Sequence, residues 1–383
     1  MLSLRLLVPA NIRHHSGGNA YNARLVQGLR TLGARVEVLA VEGSWPAASA
    51  KERRRLGSLL GTWESSAEAT PGSVTMVDGL IALGAPDELE YAAAARRPAW
   101  VLLHMPSAGH PESEARALRA AAGVISTSSS TAAAIRSLHG LAEGYVALPG
   151  TDTAPVAEGS DPPHIIVVAA LLANKDQLLT VEALARLQDL AWTASFVGSD
   201  SADPEYAELV RAAVAARGLQ DRLQITGQLT GEPLDDEWNR ADLSLLVSRA
   251  EAFGMVVTES LARGIPVIVR EGTGAMEALT LAARAAGETN GASGALPSTA
   301  LPGTALPGAA VGPPSTPDLQ TLEAGTLTAT NPEPLAAAIR EWLEEPRLRA
   351  AWRAAALASR ERLPGWEATA RTVLETVAAP GED

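Results

Sequence analysis

Short apolar segments alternate with longer amphipathic segments along most of the chain. In the first half, β-rich apolar segments predict strands at residues 2–8, 36–40, 74–78, 100–104, 124–127 and 145–147. Segments whose apolar positions have a helical spacing predict helices at residues 20–32, 86–96, 112–122 and 130–138. Strands that are apolar on both faces and alternate with helices are typical of a parallel sheet covered by helices.

The pattern starts again after a polar link rich in proline, glycine and aspartate. Further strands are predicted at residues 165–170, 192–197, 223–226, 243–247 and 266–270, with helices at 177–187, 204–217, 234–240 and 256–263. Two such series indicate an α/β protein with two doubly wound, Rossmann-like domains that face each other across a cleft. The predicted domains are residues 1–150 and 164–350, joined by a linker at residues 151–163.

The regular pattern is interrupted at residues 287–320. This segment contains the five-residue repeats ALPST, ALPGT and ALPGA and is almost uncharged. Prolines five residues apart exclude a helix, and the composition provides too few apolar side chains for a core. We predict a flexible surface insertion, with a partner-binding linker as the alternative. Helical periodicity resumes after Asn331-Pro332.

Composition and charge narrow the classes of function. The chain has 383 residues, a net charge of -13 and no cysteine. An acidic chain argues against nucleic acid as a main partner, since phosphate binding needs a concentrated basic face. The lack of cysteine excludes disulfides and thiolate metal sites and fits a cytoplasmic protein. No apolar run reaches the roughly 18–20 residues of a membrane span, and the N-terminus is predicted to be a strand rather than a signal peptide.

The clearest candidate site follows the apolar strand Leu-Ser-Leu-Leu-Val of the second half. In open α/β sheets, ligands bind beyond the carboxyl ends of the strands. Gly254 lets the backbone approach a ligand closely. The amides of Met255, Val256 and Val257 begin the next helix, where unpaired N–H groups can bind an anion.

Two glutamates flank this helix start. Glu251 lies in the loop, and Glu259 lies about one and a half turns into the helix, on the same side. Carboxylates are strong acceptors for vicinal hydroxyl groups. One glutamate for each of two sugars, with a diphosphate on the amides between them, indicates a sugar-nucleotide site. The alternative is that both glutamates are solvated charges on the helix surface.

The segment SRAEAFGMVVTESLARGIPVIVREGTGAMEAL, residues 248–279, resembles the signature region of the family-4 retaining glycosyltransferases of GT-B fold. That pattern is Glu-x-Phe-Gly, four residues, Glu, Ala-x-Gly-x-Pro-Val and then a glycine-rich turn followed by Glu. Glu251, Phe253-Gly254 and Glu259 match it. The resemblance implies that Glu251 contacts hydroxyl groups of the donor sugar and that Glu259 contacts the nucleotide ribose. It also implies transfer without a metal ion or a cofactor.

Two motifs of the first half extend the resemblance. Gly17-Gly18 lies between the first strand and the first helix and resembles the family's glycine loop, where exposed amides meet a phosphate. His104 ends an apolar strand, where the family often has a histidine that contacts the donor hexose. A plain turn and a hydrogen-bonded strand-end histidine are the structural alternatives. The final helix around Trp366 resembles a C-terminal helix that returns to the first domain, so residues 351–383 are predicted to pack there.

Lys175 is the predicted diphosphate cation of the second half. It follows a strand and precedes a helix, so its ammonium can meet the phosphates as a point charge. The family usually has an arginine a few positions earlier and a glycine after the lysine. Here Ala170 and Asp176 occupy those positions, which predicts weaker phosphate binding and leaves a surface lysine as the alternative.

The segment KERRRLGSLLGTW, residues 51–63, places Leu56, Leu59, Leu60 and Trp63 on one helical face behind a basic cluster. Membrane-associated relatives dock on anionic lipid through such a helix. An ordinary amphipathic helix packed on the first domain is the favoured interpretation, and the acidic net charge supports it.

The function implied by these motifs is a retaining, metal-independent transfer of a hexosyl unit from a nucleotide diphosphate sugar to a small-molecule or lipid-linked acceptor. The predicted catalytic residues are His104, Lys175 and Glu251. An epimerase or phosphorylase of the same fold is one alternative. A non-catalytic sugar-nucleotide sensor is the other, motivated by Ala170 and Asp176. The sequence contains no motif that identifies the base, the sugar, the acceptor or the oligomeric state.

Overall fold

The protein divides into two compact units, described by a computed structural model. The first unit comprises Met1–Gly150 and Pro364–Asp383, and the second comprises Thr151–Leu363. Within the chain, the structure describes residues 2–11, 16–61, 73–107, 109–141, 144–284, 305–306 and 331–379. The main segment of the first unit ends at Gly150, and residues 151–163 belong to the second unit.

The first unit is built on a parallel sheet, to which the described residues contribute six strands in the order β2-β1-β3-β4-β5-β6. These strands are β1 (Ser3–Pro9), β2 (Arg35–Val41), β3 (Ser73–Asp78), β4 (Trp100–Leu103), β5 (Gly123–Ser126) and β6 (Tyr145–Val146). The helices that the structure describes before residue 150 are α1 (Gly17–Thr31), α2 (Ala50–Leu60), α3 (Gly79–Gly84), α4 (Pro86–Ala94), α5 (Pro111–Ala120) and α6 (Ser129–His139). The order of strands reverses between β1 and β3, which is the ligand-binding position of such sheets.

The second unit repeats the architecture with the order β12-β11-β10-β7-β8-β9. Its described strands are β7 (His164–Val168), β8 (Thr193–Val197), β9 (Leu223–Gly227), β10 (Leu243–Leu246), β11 (Val267–Arg270) and β12 (Ala305–Leu306). Its described helices are α7 (Gln177–Leu184), α8 (Pro204–Ala216), α9 (Glu232–Asn239), α10 (Met255–Ala262), α11 (Ala275–Arg284), α12 (Glu333–Glu344) and α13 (Pro346–Arg360). Here the order reverses between β7 and β10. The predicted fold class of two doubly wound α/β domains is confirmed.

Each unit has its own apolar core. In the second unit, the largest fully buried side chains of the described residues are three tryptophans and a phenylalanine: Trp192, Trp238, Trp342 and Phe196. In the first unit, Leu7 and Val77 of the central strands pack against the buried face of α2. Burial of side chains on both faces of each sheet explains why the strands are continuous apolar runs in the sequence.

The amphipathic helix α2 belongs to this core. A capping box of Ser49 and Glu52 begins it, and Gly61 ends it in the left-handed conformation, with φ 73°. Leu56 and Leu60 are buried in the core of the first unit, as expected for a helix packed on the domain. Trp63 lies outside the described residues. No helix in the described part of the chain is both long and apolar enough to cross a membrane.

The last helix, α14 (Trp366–Ala378), packs on α1 in the first unit. A methyl group at Gly28 would lie 2.9 Å from the Cβ of Ala370, so the two helices approach closely only because Gly28 has no side chain. The hydroxyl of Tyr21 donates to Ala147 O at 2.8 Å, and its ring meets the edge of Trp366 at 5.4 Å between centroids.

The C-terminal region is shared between the two units, with the boundary at Leu363 rather than at the predicted residue 350. Residues 351–383 were expected to pack together on the first domain, but α13 contacts α10 and α12 within the second unit. Arg360 of α13 donates to Ala262 O and Ala154 O, both at 2.7 Å, and these contacts fix the helix to its own unit. The expected insertion at residues 287–320 lies outside the described residues, except that Ala305–Leu306 form β12 beside β11.

Candidate functional site

Lys175 and Glu251 meet at the strand reversal of the second unit. Lys175 ends a short 3-10 turn, Ala173–Lys175, between β7 and α7, and Glu251 lies in the loop between β10 and α10. The amide of Arg249 donates to Asn174 O at 2.7 Å and joins the two loops. The Nζ of Lys175 lies 2.5 Å from Oε1 of Glu251, and the side chains are 21% and 11% exposed. Two residues from separate sequence motifs thus form one ion pair at the expected edge of the sheet.

Two glycines shape the loop that carries Glu251. Gly254 has φ 85° and ψ 63°, a conformation open to glycine, and a methyl group there would lie 2.9 Å from Cδ2 of Leu246. Gly274 packs on the same loop from the turn after β11. Its amide donates to Glu251 O at 2.9 Å, and a methyl group at Gly274 would lie 1.9 Å from Ala252 O.

Helix α10 begins without a side-chain cap. The amide of Val257, expected to be open to an anion, instead donates to Gly254 O at 2.9 Å, because the left-handed Gly254 turns its carbonyl towards the first turn of the helix. The amides of Met255 and Val256 precede this first hydrogen bond. Phe253 is buried, with 3% exposure, so its ring packs inside the unit and fixes the loop.

Glu259 lies on the second turn of α10 and is half-buried. Its backbone carbonyl accepts a hydrogen bond from Arg263 Nη1 at 3.1 Å. The position is on the helix that begins at Met255, directly after Gly254, as the sequence pattern indicates.

Asp176 forms a buried ion cluster that sequence reasoning missed. Its carboxylate accepts from Arg249 Nε at 3.1 Å and Nη2 at 3.0 Å, and from Arg270 Nη2 at 2.5 Å. The hydrogen bond to Asp176 raises the pKa of Arg249 above its usual range. The available signal was an aspartate at a position where the resemblance leads one to expect glycine. Ala170, where an arginine was expected, offers its carbonyl to Gln177 Nε2 at 2.9 Å.

A second polar cluster lies at the strand reversal of the first unit, around His104. The Nε2 of His104 lies 3.1 Å from Asn22 Oδ1 and 3.4 Å from Asp78 Oδ2. Asn22 Nδ2 donates to Asp78 Oδ2 at 2.9 Å. Since Asn22 Oδ1 can only accept, we assign a proton to Nε2 of the imidazole. A methyl group at Gly18 would lie 3.2 Å from Cδ2 of His104, so the glycine turn and the histidine are neighbours.

Asp78 is the ionised anchor of this cluster. Burial opposes its ionisation, but hydrogen bonds from His104, from the amide of Leu80 and from Asn22, together with the charge of His104, hold its pKa below the usual range. Asp78 also caps α3 by accepting from Leu80 N at 2.9 Å. Helix α1 begins at Gly17, three residues earlier than predicted, because the hydroxyl of Ser16 caps the amide of Asn19.

The described residues hold no group of three or more histidine, aspartate and glutamate side chains arranged to bind a metal ion. In the second unit they provide a carboxylate that can accept hydrogen bonds from hydroxyl groups, Glu251, beside the cation of Lys175 and near the start of a helix. In the first unit they provide the hydrogen-bonded cluster around His104. The second-unit set suits a ligand with both hydroxyl and phosphate groups.

Comparison with known proteins connects this geometry to a family. Residues 151–291 match the family described as "Glycosyl transferases group 1". Mannosylfructose-phosphate synthase of Agrobacterium fabrum is 29% identical over 111 residues, which are 27% of this chain and 24% of that protein. Alpha-D-kanosaminyltransferase of Streptomyces kanamyceticus is 30% identical over 116 residues, 30% of this chain and 29% of that protein. The matched segments thus span about a quarter of the length of these curated relatives.

The fold is similar to that of solved structures over almost the whole length of the chain. A sucrose-phosphate synthase from Thermosynechococcus elongatus superposes with a TM-score of 0.70 at 17% identity over 98% of both chains. Anabaena HepE in complex with UDP and glucose superposes with a TM-score of 0.65 at 17% identity, over 99% of this chain and 100% of that one. The chain thus has the fold of GT-B glycosyltransferases, and residues 151–291 of its second unit match the glycosyl transferases group 1 family.

Proposed function

We propose that the protein is a retaining, metal-independent glycosyltransferase that moves a hexosyl unit from a nucleotide diphosphate sugar to a small-molecule or lipid-linked acceptor. The observation that carries the proposal is the pairing of Lys175 with Glu251, 2.5 Å apart at the strand reversal of the second unit. This pair lies within the segment that matches the glycosyl transferases group 1 family.

The second unit is the proposed donor site. Glu251 accepts hydrogen bonds from hydroxyl groups of the donor sugar, and Glu259 accepts them from the ribose. Lys175 and the amides of Met255 and Val256 bind the diphosphate. The HepE structures, which contain UDP, glucose or UDP-glucose, support a nucleotide-sugar donor and make UDP the first probe to test.

Donor binding has to break the Lys175–Glu251 ion pair in this proposal. The sugar hydroxyls replace the ammonium as partners of Glu251, and the phosphate oxygens replace the carboxylate as partners of Lys175. Since both partners exchange one charged hydrogen bond for another, the exchange costs little when the whole donor binds. A ligand that offers only one of the two replacements binds less well.

The proposed chemistry needs no protein nucleophile. The acceptor oxygen bonds to the anomeric carbon on the face from which the diphosphate leaves, the bond from that carbon to the phosphate oxygen breaks, and the diphosphate takes the acceptor proton. Lys175 and the amides at the start of α10 stabilise the charge that develops on the leaving group. In the first unit, His104 and the turn at Gly17 and Gly18 remain the predicted contributors.

A thermal-shift screen with UDP-, GDP- and ADP-sugars identifies the donor, because a bound ligand raises the unfolding midpoint by mass action. The stabilising donor is then incubated with a panel of acceptors, with and without EDTA, and the anomeric configuration of the product is read by NMR. Retention with equal rates in EDTA is expected. Conversion of the donor without an acceptor would indicate an epimerase, and tight binding without turnover would indicate a sensor.

Two variants test the assigned roles in the same assays. Glu259→Ala is expected to weaken nucleotide-sugar affinity in calorimetry, and unchanged affinity would remove the ribose role. Glu251→Ala is expected to lose transfer activity, and a fully active variant would remove the donor-sugar role.

A further inference from the structure

Asp176 places a buried carboxylate where the backbone favours glycine. Its φ is 57° and its ψ is 38°, in the left-handed region, where aspartate and asparagine are among the few side chains tolerated. The side chain is 4% exposed. A carboxylate removed from water at such a position needs charged partners to offset the lost hydration.

Those partners reach Asp176 from two strands on one side of β7, namely β10 and β11. Arg249 follows β10 and donates from Nε and Nη2 to the two carboxylate oxygens of Asp176, at 3.1 and 3.0 Å. Arg270 ends β11 and donates Nη2 to Asp176 at 2.5 Å and Nε to Val247 O at 2.9 Å. The carboxylate therefore holds two guanidinium groups across the carboxyl ends of adjacent strands.

The distribution of charge at this edge is uneven. The Lys175–Glu251 pair sums to zero charge, whereas Asp176 with its two arginines sums to one positive charge. Of these two clusters, only the arginine cluster carries an excess positive charge. Of the two arginines, Arg249 is the more accessible, with 41% of its side chain exposed against 23% for Arg270.

The geometry of Arg249 leaves one edge of its guanidinium open for a second bidentate partner. Asp176 occupies the Nε/Nη2 edge. The planar group has a second edge, formed by Nη1 and the other hydrogen of Nη2, which suits two oxygens of a phosphate. The amide of Arg249 is bonded to Asn174 O at 2.7 Å, so its backbone is fixed beside the turn that carries Lys175.

We propose that Arg249 binds the diphosphate of the donor beside Lys175, and that Asp176 is the residue that positions it. The inference rests on the proposed function, since it adds a residue to the same donor site. Asp176, which looks from the sequence like an obstacle to phosphate binding, is in this arrangement the support of a phosphate-binding arginine.

Calorimetry with two probes, UDP and inorganic pyrophosphate, tests the role of Arg249. Arg249→Gln is expected to weaken both probes about 10- to 100-fold, because it removes charged hydrogen bonds to phosphate. The matched control is Arg340→Gln. Arg340 also donates from two nitrogens to one carboxylate, that of Asp189, at 2.7 and 2.9 Å, and 34% of its side chain is exposed. It lies on α12 and is not among the residues of the candidate site. The control is expected to bind both probes as the unaltered protein does.

The positioning role of Asp176 is tested by a double-variant cycle with the same probes. Asp176→Asn is expected to weaken pyrophosphate binding about fivefold in the unaltered background and much less in the Arg249→Gln background, because coupled residues are non-additive. Equal effects in the two backgrounds would show that Asp176 does not act through Arg249. If Arg249→Gln does not fold, Arg249→Lys replaces it, because lysine keeps the charge and loses the bidentate guanidinium. This variant is expected to weaken the binding of both probes about tenfold or less.

The outcomes separate the two proposals. If UDP binds and Arg249→Gln binds it equally well, the assignment of Arg249 is overturned and the donor site stands. If pyrophosphate binds in an Arg249-dependent way and no nucleoside diphosphate does, Arg249 is a phosphate-binding residue, but the nucleotide-sugar donor is wrong. If neither UDP, GDP, ADP nor pyrophosphate binds to the unaltered protein, both are overturned.

Discussion

A methyl group at Gly274 would disturb the candidate site through the backbone of the loop that carries Glu251. The new Cβ would lie 1.9 Å from Ala252 O and 2.6 Å from Glu251 O. An ordinary carbon–oxygen contact is about 3.3 Å or longer, so the loop has to move by roughly 1.4 Å to make room. Glu251 is carried by this loop, and its carboxylate lies 2.5 Å from Lys175.

A displacement of about 1 Å at a reacting or binding group can cost about 100-fold in rate. We therefore expect Gly274→Ala to lower transfer about 100-fold, with weaker UDP binding because the same loop also positions the amides of Met255 and Val256 at the start of α10. The cost in stability is expected to be about 1–3 kcal/mol, typical of overpacking, so the unfolding midpoint falls by only a few degrees. Initial rates, calorimetry with UDP and thermal unfolding measure the three quantities.

The control for Gly274→Ala is Gly365→Ala. Gly365 has φ -81°, and no atom outside its immediate neighbours lies within 4 Å of the place that a methyl carbon would take, so the same substitution is accommodated there. It is expected to leave rate and affinity unchanged. A Gly274→Ala protein with the rate and UDP affinity of the unaltered protein would refute the view that the turn after β11 sets the position of the Glu251 loop.

Three further outcomes are expected. Glu251→Gln removes the carboxylate that pairs with Lys175, so calorimetry should show that UDP without a sugar binds about 3- to 10-fold tighter. If the UDP-sugar also bound tighter, the proposed contact of Glu251 with the sugar would be contradicted. Burial, aided by the charge of Arg240, lowers the pKa of His164 to about 4. Because the unfolded chain, with a pKa near 6.5, binds this proton more tightly, stability is full above about pH 6.5 and falls as the pH drops towards 4. Urea unfolding at pH 7.5 and pH 5 should show about 2 kcal/mol more loss than in His164→Gln, and equal losses would contradict this. Tyr21→Phe removes the 2.8 Å hydrogen bond to Ala147 O and should lower the free energy of unfolding by about 1–2 kcal/mol, a result checked by urea unfolding.

The fold was predictable because its determinants are local. Each strand is a short apolar run between turn residues, and each long helix has its own spacing of apolar positions, so periodicity identifies them one at a time. Alternation of the two then indicates parallel sheets. The expected positions of Lys175 and Glu251 followed from one rule, that ligands bind beyond the carboxyl ends of strands. The structure brings these two residues together at the point where the strand order reverses.

Contacts between distant parts of the chain were not predictable in the same way. Asp176 is separated from Arg249 and Arg270 by 73 and 94 positions, and no local pattern shows that three charged residues share one site. The hydrogen bond of the Val257 amide depends on the left-handed conformation of Gly254, which the sequence permits but does not specify. The assignment of α13 to the second unit likewise depends on which surface its residues meet after folding.

The placement of α14 has a consequence for the order in which the protein is made. Tyr21 and Gly28 of α1 find their partners around Trp366 and Ala370, after the whole second unit has been synthesised. At about 5–20 residues per second, the intervening stretch of roughly 200 residues occupies the ribosome for about 10–40 seconds. During that time α1 lacks the helix that later packs on it, whereas all residues of the second unit, Thr151–Leu363, precede α14 in the chain. The larger segment of the first unit is thus translated before the second unit, but the first unit is completed only after it.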